Sequence, residues 1–199
     1  MRIIAGKYRS RLIRSPRAED VRPTKDRIRE SLFNIITEYI SGAEVLDIFA
    51  GSGAFGIEAI SRGAASAVFI DNEKACIAII EENLKSLGIE ADKASVLRMD
   101  AFKAIDKLCN EGKKFDIILL DPPYYKDIAK KCLIKLGERD ILKPRCIIVV
   151  EHHKKDILPA ETGNLTSYRT APYGDIWLTF YRDVPRGATL PTSCHEHDD

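Results

Sequence analysis

Residues 121–124, Asp-Pro-Pro-Tyr, directly follow an apolar run from Phe115 to Leu120 that predicts a buried strand. The two prolines fix φ at about −65° and have no N–H, so their carbonyl oxygens stay available as acceptors. Asp121 adds a carboxylate, and Tyr124 adds an aromatic face on which a base could stack. The set suits the transfer of a methyl group to a flat, electron-poor nitrogen. It is also consistent with a purely structural turn.

A second motif lies upstream, where a strand-like run ends in glycines at 51, 53 and 56. In a doubly wound sheet, such a turn between strand and helix lies at the carboxyl edge, where ligands bind. The three glycines satisfy the dinucleotide fingerprint, and Asp71 lies twenty residues after Gly51, so a nicotinamide-dependent oxidoreductase is an open alternative. Asp47, predicted to lie near the mouth of the loop, would oppose a pyrophosphate. It suits an ammonium or sulfonium group instead.

Acidic residues end four successive predicted strands: Asp47, Asp71, Asp100 and Asp121. Asp71 could accept from both hydroxyls of a ribose, and Asp100 from an adenine amine beside the backbone N–H of Ala101. Four carboxylates along one sheet edge make a poor phosphate site and a good site for S-adenosylmethionine. A single acid at such a position is more often a helix N-cap, but the whole series is hard to explain by capping alone.

Strand-like and helix-like segments alternate through most of the chain. The predicted strands are Glu44–Ala50, Ser66–Asp71, Ser95–Met99, Phe115–Leu120 and Cys146–Glu151, and the predicted helices cover about 54–62, 73–87, 101–111 and 126–137. Continuous apolar strands in this alternation predict an α/β fold whose parallel sheet is covered on both faces. After Pro159 the pattern changes, and Leu165–Ala171 and Ile176–Arg182 predict a hairpin at an antiparallel edge.

The first thirty residues carry ten basic and four acidic side chains, an excess of six positive charges, although the whole chain has a net charge of +1. Arg2–Arg14 alternates apolar and basic residues around Gly6 and predicts a small hairpin. Lys25–Ile40 has helical spacing, with Thr24 as its expected N-cap. The basic end is a plausible phosphate-binding surface or simply a solvated one.

The 199 residues are most simply one domain. No stretch has the character of a signal peptide or the length of a membrane span. Five cysteines without Cys-x-x-Cys spacing and four histidines without a zinc-finger partner favour reduced packing residues and no metal site. These features favour a cytoplasmic protein.

Three segments occur in an informative order: Arg22-Pro-Thr-Lys-Asp-Arg-Ile-Arg-Glu-Ser-Leu-Phe-Asn, Asp47-Ile-Phe-Ala-Gly-Ser-Gly-Ala-Phe-Gly and Asp121-Pro-Pro-Tyr. With the opening Arg2-Ile-Ile-Ala-Gly-Lys-Tyr-Arg and the late Tyr173-Gly-Asp, the chain resembles the 16S rRNA (guanine(966)-N2)-methyltransferase family over about residues 1–182. The family favours a glycine at Ser10 and a basic residue at Leu12, so the predicted hairpin departs from its pattern there.

The resemblance implies a Rossmann-like class I methyltransferase with a seven-stranded, mostly parallel sheet. It implies a basic RNA-binding extension at 1–24 and a methyltransferase domain at 25–182. Residues 183–199 have no counterpart in the family, and their sequence predicts a disordered tail. It also implies a cytoplasmic enzyme, expected to be a monomer without metal or membrane contact, that uses S-adenosylmethionine to methylate one guanine of small-subunit ribosomal RNA, within an assembling particle.

The site residues implied by the resemblance fall into three groups. The expected catalytic residues are Asp121, Pro122, Pro123 and Tyr124. The expected cofactor-binding residues are Asp47, Phe49, Ala50, Gly51, Ser52, Gly53, Asp71, Asn72, Asp100, Ala101, Thr24 and Arg27. The expected RNA-binding residues are Arg2, Lys7, Arg9, Arg11, Arg14 and Arg22.

Three alternatives stay open at this point. The chain could be a DNA adenine-N6 or other amino-methyltransferase, because Asp-Pro-Pro-Tyr also suits an adenine amine. It could be a nicotinamide-dependent oxidoreductase, as the glycine spacing allows. It could also be a non-catalytic RNA-binding factor that retains the pocket.

Overall fold

A computed structural model describes residues 1–15, 23–125 and 127–184. Helices and strands alternate through the first part of these residues, and strands dominate the last part. In chain order the elements are α1 (Pro23–Ile35), α2 (Thr37–Ile40), β1 (Glu44–Ile48), α3 (Ala54–Ser61), β2 (Ser66–Asp71), α4 (Lys74–Leu87), β3 (Ala94–Arg98), α5 (Ala101–Asn110), β4 (Phe115–Leu120), α6 (Ile128–Gly137), β5 (Leu142–His153), β6 (Glu161–Thr162), β7 (Leu165–Tyr173) and β8 (Ile176–Asp183).

All the strands join one sheet in the order β3-β2-β1-β4-β5-β8-β7-β6. The first five strands pair in parallel, whereas β8 is antiparallel to β5 and to β7. The predicted parallel sheet with an antiparallel edge is therefore confirmed. Within the described residues, the sheet has eight strands instead of the predicted seven because the two residues of β6 pair with the start of β7.

Apolar side chains cover both faces of the sheet, because successive residues of a strand point to opposite faces. Val45 packs in the core beneath α1, α3 and α4, whereas its neighbour Leu46 packs in the core beneath α5 and α6. This double burial explains why the parallel strands are continuous apolar runs in the sequence.

The predicted helix Lys25–Ile40 differs from the structure at both ends. It begins earlier, at Pro23, which is favoured at a first helical position because proline lacks the N–H that would be unpaired there. Thr24 is therefore in the first turn and is not the N-cap residue. The helix is also interrupted at Ile36, where φ is −98° and ψ is 16°, and the short α2 follows.

The predicted N-terminal hairpin is present as a chain reversal with one antiparallel bridge, between Arg2 and Leu12. Ile3, Tyr8 and Ile13 are buried in the same core as α1, α3 and α4. Gly6 is essential at the turn, because a Cβ there would lie 1.8 Å from the carbonyl oxygen of Ser61.

A buried carboxylate on α3 fastens this N-terminal segment. Glu58 is fully buried and accepts hydrogen bonds from the backbone N–H groups of Ile4 at 2.8 Å and Ala5 at 3.0 Å. The guanidinium of Arg62 lies 2.7 Å from the same carboxylate. A charge inside a protein is tolerated when it is paired and hydrogen-bonded in this way. The segment is therefore an integral part of the packed fold.

Two strands, β5 and β8, extend beyond their predicted limits. The strand predicted at Cys146–Glu151 runs over the whole of β5 and includes His152 and His153. Asp183, predicted to begin the disordered tail, is the last residue of β8. Residues 185–199 lie outside the described part of the chain. Among the described residues, no helix is both long and apolar enough to cross a bilayer.

Candidate active site

Parallel pairing brings the carboxyl ends of the central strands to one edge. Ile48 pairs with Ile70 of β2 and with Leu120 of β4, so the residues that follow these three strands are neighbours. The glycine loop, Asp71 and Asp121 therefore meet at this edge, as the sequence predicts. Asp100 follows β3, the outermost of the parallel strands.

The loop after β1 is a tight turn with several left-handed residues. Phe49, Gly51 and Gly53 have φ values of 66°, 57° and 76°. Ala50 donates to the carbonyl of Ile70 at 2.9 Å, which ties the loop to the adjacent strand. A Cβ added at Gly51 would come no closer than 4.0 Å to any described atom beyond its chain neighbours. The loop therefore offers open space at Gly51 for a ligand to approach the backbone.

Gly53 and Gly56 face inward instead. A Cβ on Gly56 would lie 2.3 Å from the ring of Phe69, and one on Gly53 would lie 3.3 Å from the same ring. These two glycines let α3 pack closely on β2. Their spacing therefore has a packing cause, and the dinucleotide fingerprint is not needed to explain it.

The sequence predicted Asp47 near the mouth of the glycine loop, but this prediction is wrong. Asp47 lies beneath the loop. The residue is only 1% exposed, and its Oδ2 accepts from the N–H of Gly56 at 2.9 Å. Its Oδ1 is buried without a hydrogen-bond partner among the described residues. Burial, with a smaller contribution from the charge of Asp71, raises the pKa of Asp47 to about 7. The buried Oδ1 of Asp47 suits a positively charged ligand above it, whereas a phosphate there would be repelled.

Asp71 connects the glycine loop to the start of α4. Its two oxygens accept from the N–H groups of Gly51 and Glu73, each at 2.9 Å. A carboxylate has about four acceptor positions, so both oxygens retain capacity for ribose hydroxyls. Asn72 beside it is exposed.

Asp100 is the N-cap of α5, the structural role that the sequence left open for each acid. Its Oδ1 accepts from the N–H groups of Phe102 at 3.0 Å and Lys103 at 3.1 Å. Asp100 is exposed, whereas Ala101 is buried at the first position of the helix. The cap holds the carboxylate at the sheet edge, where its second oxygen can also serve an amine.

The residues Asp121 to Tyr124 form the turn that follows β4. The N–H of Asp121 lies 3.4 Å from the carbonyl of Ile48, which joins this turn to the end of β1. Asp121 is half-buried, Pro122 is buried and Pro123 is exposed. Tyr124 is half-buried, and its hydroxyl donates to Oε1 of Glu151 at 3.0 Å. Burial, with the nearby Glu151 and Asp121 carboxylates, raises the pKa of Tyr124 far above its ordinary value, so the hydroxyl stays a donor.

Two acids that the sequence analysis missed support this turn. Glu151, near the end of β5, is buried and holds the hydroxyl of Tyr124. Asp156 accepts from the N–H of Tyr125 at 3.1 Å and from the N–H of His153 at 3.2 Å. The only sequence signal for Glu151 was an acid at the end of an apolar strand, as for the four predicted acids.

A third missed residue joins the glycine loop to the N-terminal segment. Asn83 of α4 is 1% exposed, and its Nδ2 donates to the carbonyls of Ser52 and Arg14, each at 3.0 Å. Its Oδ1 accepts from the N–H of Arg14 at 2.8 Å. A buried amide in an otherwise apolar helix face was the available signal.

The two cofactor residues predicted on α1 are less fully described. Arg27 is exposed near the amino end of the helix, and the Thr24 side chain lies outside the described part of the structure. Contact of either residue with a cofactor stays a prediction.

The predicted RNA-binding residues do not all face the glycine loop. The described ones, Arg2, Lys7, Arg9, Arg11 and Arg14, are exposed, and Arg22 lies outside the described residues. The backbone N–H of Lys7 donates to the carbonyl of Ser61, the last residue of α3. With a rise of 1.5 Å per residue, Ser61 lies about 12 Å along the helix from the glycine loop. Arg11 donates to the carbonyl of Ser86 at 2.9 Å, at the end of α4. Among the described basic residues, the backbone of Arg14 is linked to the loop through Asn83, and its guanidinium pairs with Glu82 at 2.9 Å.

Within the described residues, no group of three or more His, Cys, Asp or Glu side chains is arranged to hold a metal ion. Asp47 lies beneath the glycine loop, Asp71 is bonded to the loop, and the Asp121 turn is joined to the end of β1. This arrangement could hold an organic ligand.

Comparisons with known proteins found similar sequences and a similar fold. The model of a family described as Conserved hypothetical protein 95 matches residues 1–182. Ribosomal RNA small subunit methyltransferase D of Haemophilus influenzae is 36% identical over 171 residues, which cover 85% of this chain and 88% of the relative. The protein of the same name from Escherichia coli K12 is 33% identical over 187 residues, covering 94% and 92%. The solved structure of the Escherichia coli protein yhhF matches with a TM-score of 0.79 at 33% identity, covering 92% of this chain and 98% of that one.

Proposed function

The chain belongs to the Conserved hypothetical protein 95 family, and from this membership we propose that it methylates small-subunit ribosomal RNA with S-adenosylmethionine as the methyl donor. The likeness to solved structures confirms the predicted Rossmann-like class I methyltransferase fold. The finer part of the proposal is that the acceptor is the exocyclic N2 amine of one guanine. That part rests on the sequence resemblance and on the acceptors of the Asp121 turn.

One observation carries the proposal. The glycine loop with its buried, partly unpaired Asp47 carboxylate and the Asp121-Pro122 acceptors meet at the ends of adjacent strands, β1 and β4. A cationic methyl donor and an amine acceptor can therefore be held side by side, which removes much of the entropic barrier to transfer.

The residues that would bind the donor have distinct tasks. Gly51 permits close approach to the loop backbone, and Asp71 would accept from the ribose hydroxyls while it holds the loop by the Gly51 N–H. Asp100 would accept from the adenine amine. Asp47 would stabilise the positively charged methionine end from below. When bound, S-adenosylmethionine supplies an electrophilic methyl group.

The Asp121 turn would position the acceptor. The amine of guanine is a weak nucleophile because its lone pair is delocalised into the ring. The Asp121 carboxylate and the Pro122 carbonyl, by accepting its two hydrogens, would orient the nitrogen in line with the methyl group and stabilise the positive charge that develops on it. The base must leave its stack to reach this position, and Tyr124 would then stack on it.

The substrate would be bound over a wider surface by the basic N-terminal residues. Phosphate contacts of this kind position a nucleic acid without reading its sequence. We further propose that the enzyme acts in the cytoplasm as a monomer, on RNA within an assembling subunit. The fold and the site are independent of where the protein acts, of its oligomeric state and of the form in which the RNA is bound.

The direct test is methyl transfer from isotope-labelled S-adenosylmethionine to unmethylated 16S ribosomal RNA, offered both naked and in small-subunit particles. Nuclease digestion and mass analysis should find the label in N2-methylguanosine at a single position. Label in N6-methyladenosine would indicate an adenine amino-methyltransferase, and RNA without label would favour a DNA-adenine enzyme or a non-catalytic RNA-binding factor. A thermal-shift control separates the oxidoreductase alternative: S-adenosylhomocysteine should stabilise the protein, whereas NAD should not.

A further inference from the structure

Pro123, Tyr125 and Ile157 form an exposed apolar surface, the ledge, that borders the Asp121 turn. Among the described residues, the most exposed large apolar side chains are Ile157, at 85%, and Tyr125, at 64%. Both line the small cleft that also includes Pro123 and Tyr124. Pro123 is exposed as well, so three apolar groups face solvent beside the proposed acceptor site. Single exposed apolar residues are ordinary, as Leu12 at 63% shows, but Tyr125 and Ile157 together with Pro123 beside one site indicate a binding surface.

The backbone of Tyr125 adopts a conformation that is rare for a tyrosine. Its φ is 63°, a left-handed conformation that is an outlier for a bulky residue. The carboxylate of Asp156 accepts the Tyr125 N–H at 3.1 Å, and the ring packs against His153 at a centroid distance of 4.8 Å. A strained residue persists where its surroundings fix it, and such residues concentrate at ligand-binding sites.

Charges of both signs surround the ledge: Asp127, Glu151 and Asp156 line the cleft, and Glu151 and Asp156 are hydrogen-bonded to the turn itself. Lys130 lines the same cleft and is exposed, and Lys155 is exposed on the segment between His153 and Ile157. Cations beside an aromatic surface are the combination with which proteins bind single-stranded nucleic acid: bases stack and phosphates are neutralised.

From the strained Tyr125, its exposed ring and the flanking lysines, we propose that this ledge stacks the unpaired nucleotide next to the methylated base. The proposal rests on the proposed function, because the target base would occupy the adjoining Asp121 turn. When that base leaves the helix, its neighbour loses a stacking partner, and Tyr125 with Ile157 replaces it. The ledge would therefore contribute to the choice of an unstacked RNA segment.

Tyr125→Gly is the most informative variant. Glycine adopts a φ of 63° without strain, so the fold should be retained or stabilised while the ring is lost. Loss of one base stack should weaken RNA binding about 5- to 100-fold. Binding of S-adenosylhomocysteine should be unchanged. Tyr125→Trp should retain affinity near that of the parent protein, and Tyr168→Ala, at an exposed tyrosine on β7, is the matched control.

The experiment measures the affinity of the full chain, saturated with S-adenosylhomocysteine, for unmethylated 16S ribosomal RNA and for unmethylated small-subunit particles. Weaker binding by Tyr125→Gly alone, on the substrate that the parent methylates, supports the ledge. If Tyr125→Gly binds RNA as tightly as the parent does, the ledge proposal is wrong and the proposed function is unaffected. The same holds if Tyr125→Gly loses S-adenosylhomocysteine binding to the same extent as RNA binding. A parent protein that neither binds nor methylates either substrate overturns the proposed function and the ledge together.

Discussion

The hydroxyl of Tyr124 and the buried carboxylate of Glu151 form a hydrogen bond of 3.0 Å across the turn after β4. This bond fixes the tyrosine ring at the position where the acceptor base would stack. It also joins the Asp121 turn to β5, the adjacent strand of the sheet. The geometry of the acceptor site thus depends on a residue that need not touch the substrate.

Tyr124→Phe keeps the aromatic face but removes the donor to Glu151. We expect the free energy of unfolding to fall by about 1–3 kcal/mol, because a buried carboxylate loses a hydrogen bond. Turnover should fall less than in Tyr124→Ala, which also removes the stacking surface. Urea unfolding with single-turnover transfer measures both quantities. Equal turnover in the two variants would show that the ring does not stack on the base.

Asp121→Asn should separate chemistry from cofactor binding. The neutral amide can still accept one hydrogen bond but no longer stabilises the developing charge, so we expect turnover to fall by about 10²–10³-fold. The thermal stabilisation by S-adenosylhomocysteine should be that of the parent protein. Asp92→Asn, at an exposed acid that precedes β3 at the opposite edge of the sheet, is the control. Undiminished turnover in Asp121→Asn would remove Asp121 from the mechanism.

Asp47→Asn should make stability less dependent on pH. The pKa of Asp47 in the folded protein, about 7, lies above its ordinary value of 3.8. The folded state therefore binds the proton more tightly than the unfolded state, and the free energy of unfolding falls as the pH rises from about 4 to about 7. At pH 8 and without cofactor, the variant should be more stable than the parent by about 2–4 kcal/mol.

Urea unfolding at pH 4, 6 and 8 measures this difference, which should vanish at pH 4. The same variant should bind S-adenosylhomocysteine more weakly than the parent at pH 8, since it lacks the charge beneath the ammonium group. A parent protein whose stability is constant between pH 4 and 8 would contradict the assigned pKa.

Gly51→Ala and Gly42→Ala form a matched pair. Both glycines have a positive φ, 57° and 74°, and neither has a described non-neighbouring atom closer than 4.0 Å to an added Cβ. We expect each variant to lose about 1–2 kcal/mol of stability from backbone strain. Only Gly51→Ala should also weaken the binding of S-adenosylhomocysteine, as measured by calorimetry. Equal cofactor affinity in the two variants would place the ligand away from the loop.

Arg9→Ala should weaken RNA binding and reduce its dependence on salt. If Arg9 neutralises one phosphate, the slope of log affinity against log salt should fall by about 0.7–0.9. Lys113→Ala, which removes an exposed charge from the loop after α5, is the control. An unchanged slope for Arg9→Ala would mean that this part of the N-terminal segment is only solvated surface.

The sequence predicted the positions of the edge acids well, because local patterns determine where buried strands end. The predicted and observed limits of β2 and β4 coincide, and Asp71 and Asp121 stand where the sequence placed them. The expected α/β sheet followed from the same alternation. Residue roles within the site stay predictions, because no ligand contact tests them.

The remaining differences arise from tertiary contacts that local pattern cannot reveal. Asp47 is buried because Gly56 packs α3 against Phe69, and the sequence spacing alone suggested a residue at the loop mouth. The break at Ile36 and the two-residue β6 are also too short to leave a periodic signal. Glu58 had a faint signal, a single acid within the apolar helix Ala54–Ser61, which indicated a buried charge in need of partners.

Hydrogen bonds hold the first fifteen residues to Glu58, Ser61, Asn83 and Ser86, and these bonds form late in synthesis. The partners in these bonds are separated by 53 to 75 positions along the chain. At about 5–20 residues per second, the leading segment would wait roughly 4–15 s on a translating ribosome before α4 exists to receive it. Until α1, α3 and α4 have all been made, Ile3, Tyr8 and Ile13 lack the complete core that buries them, so we expect a chaperone to act on this short stretch of the nascent chain.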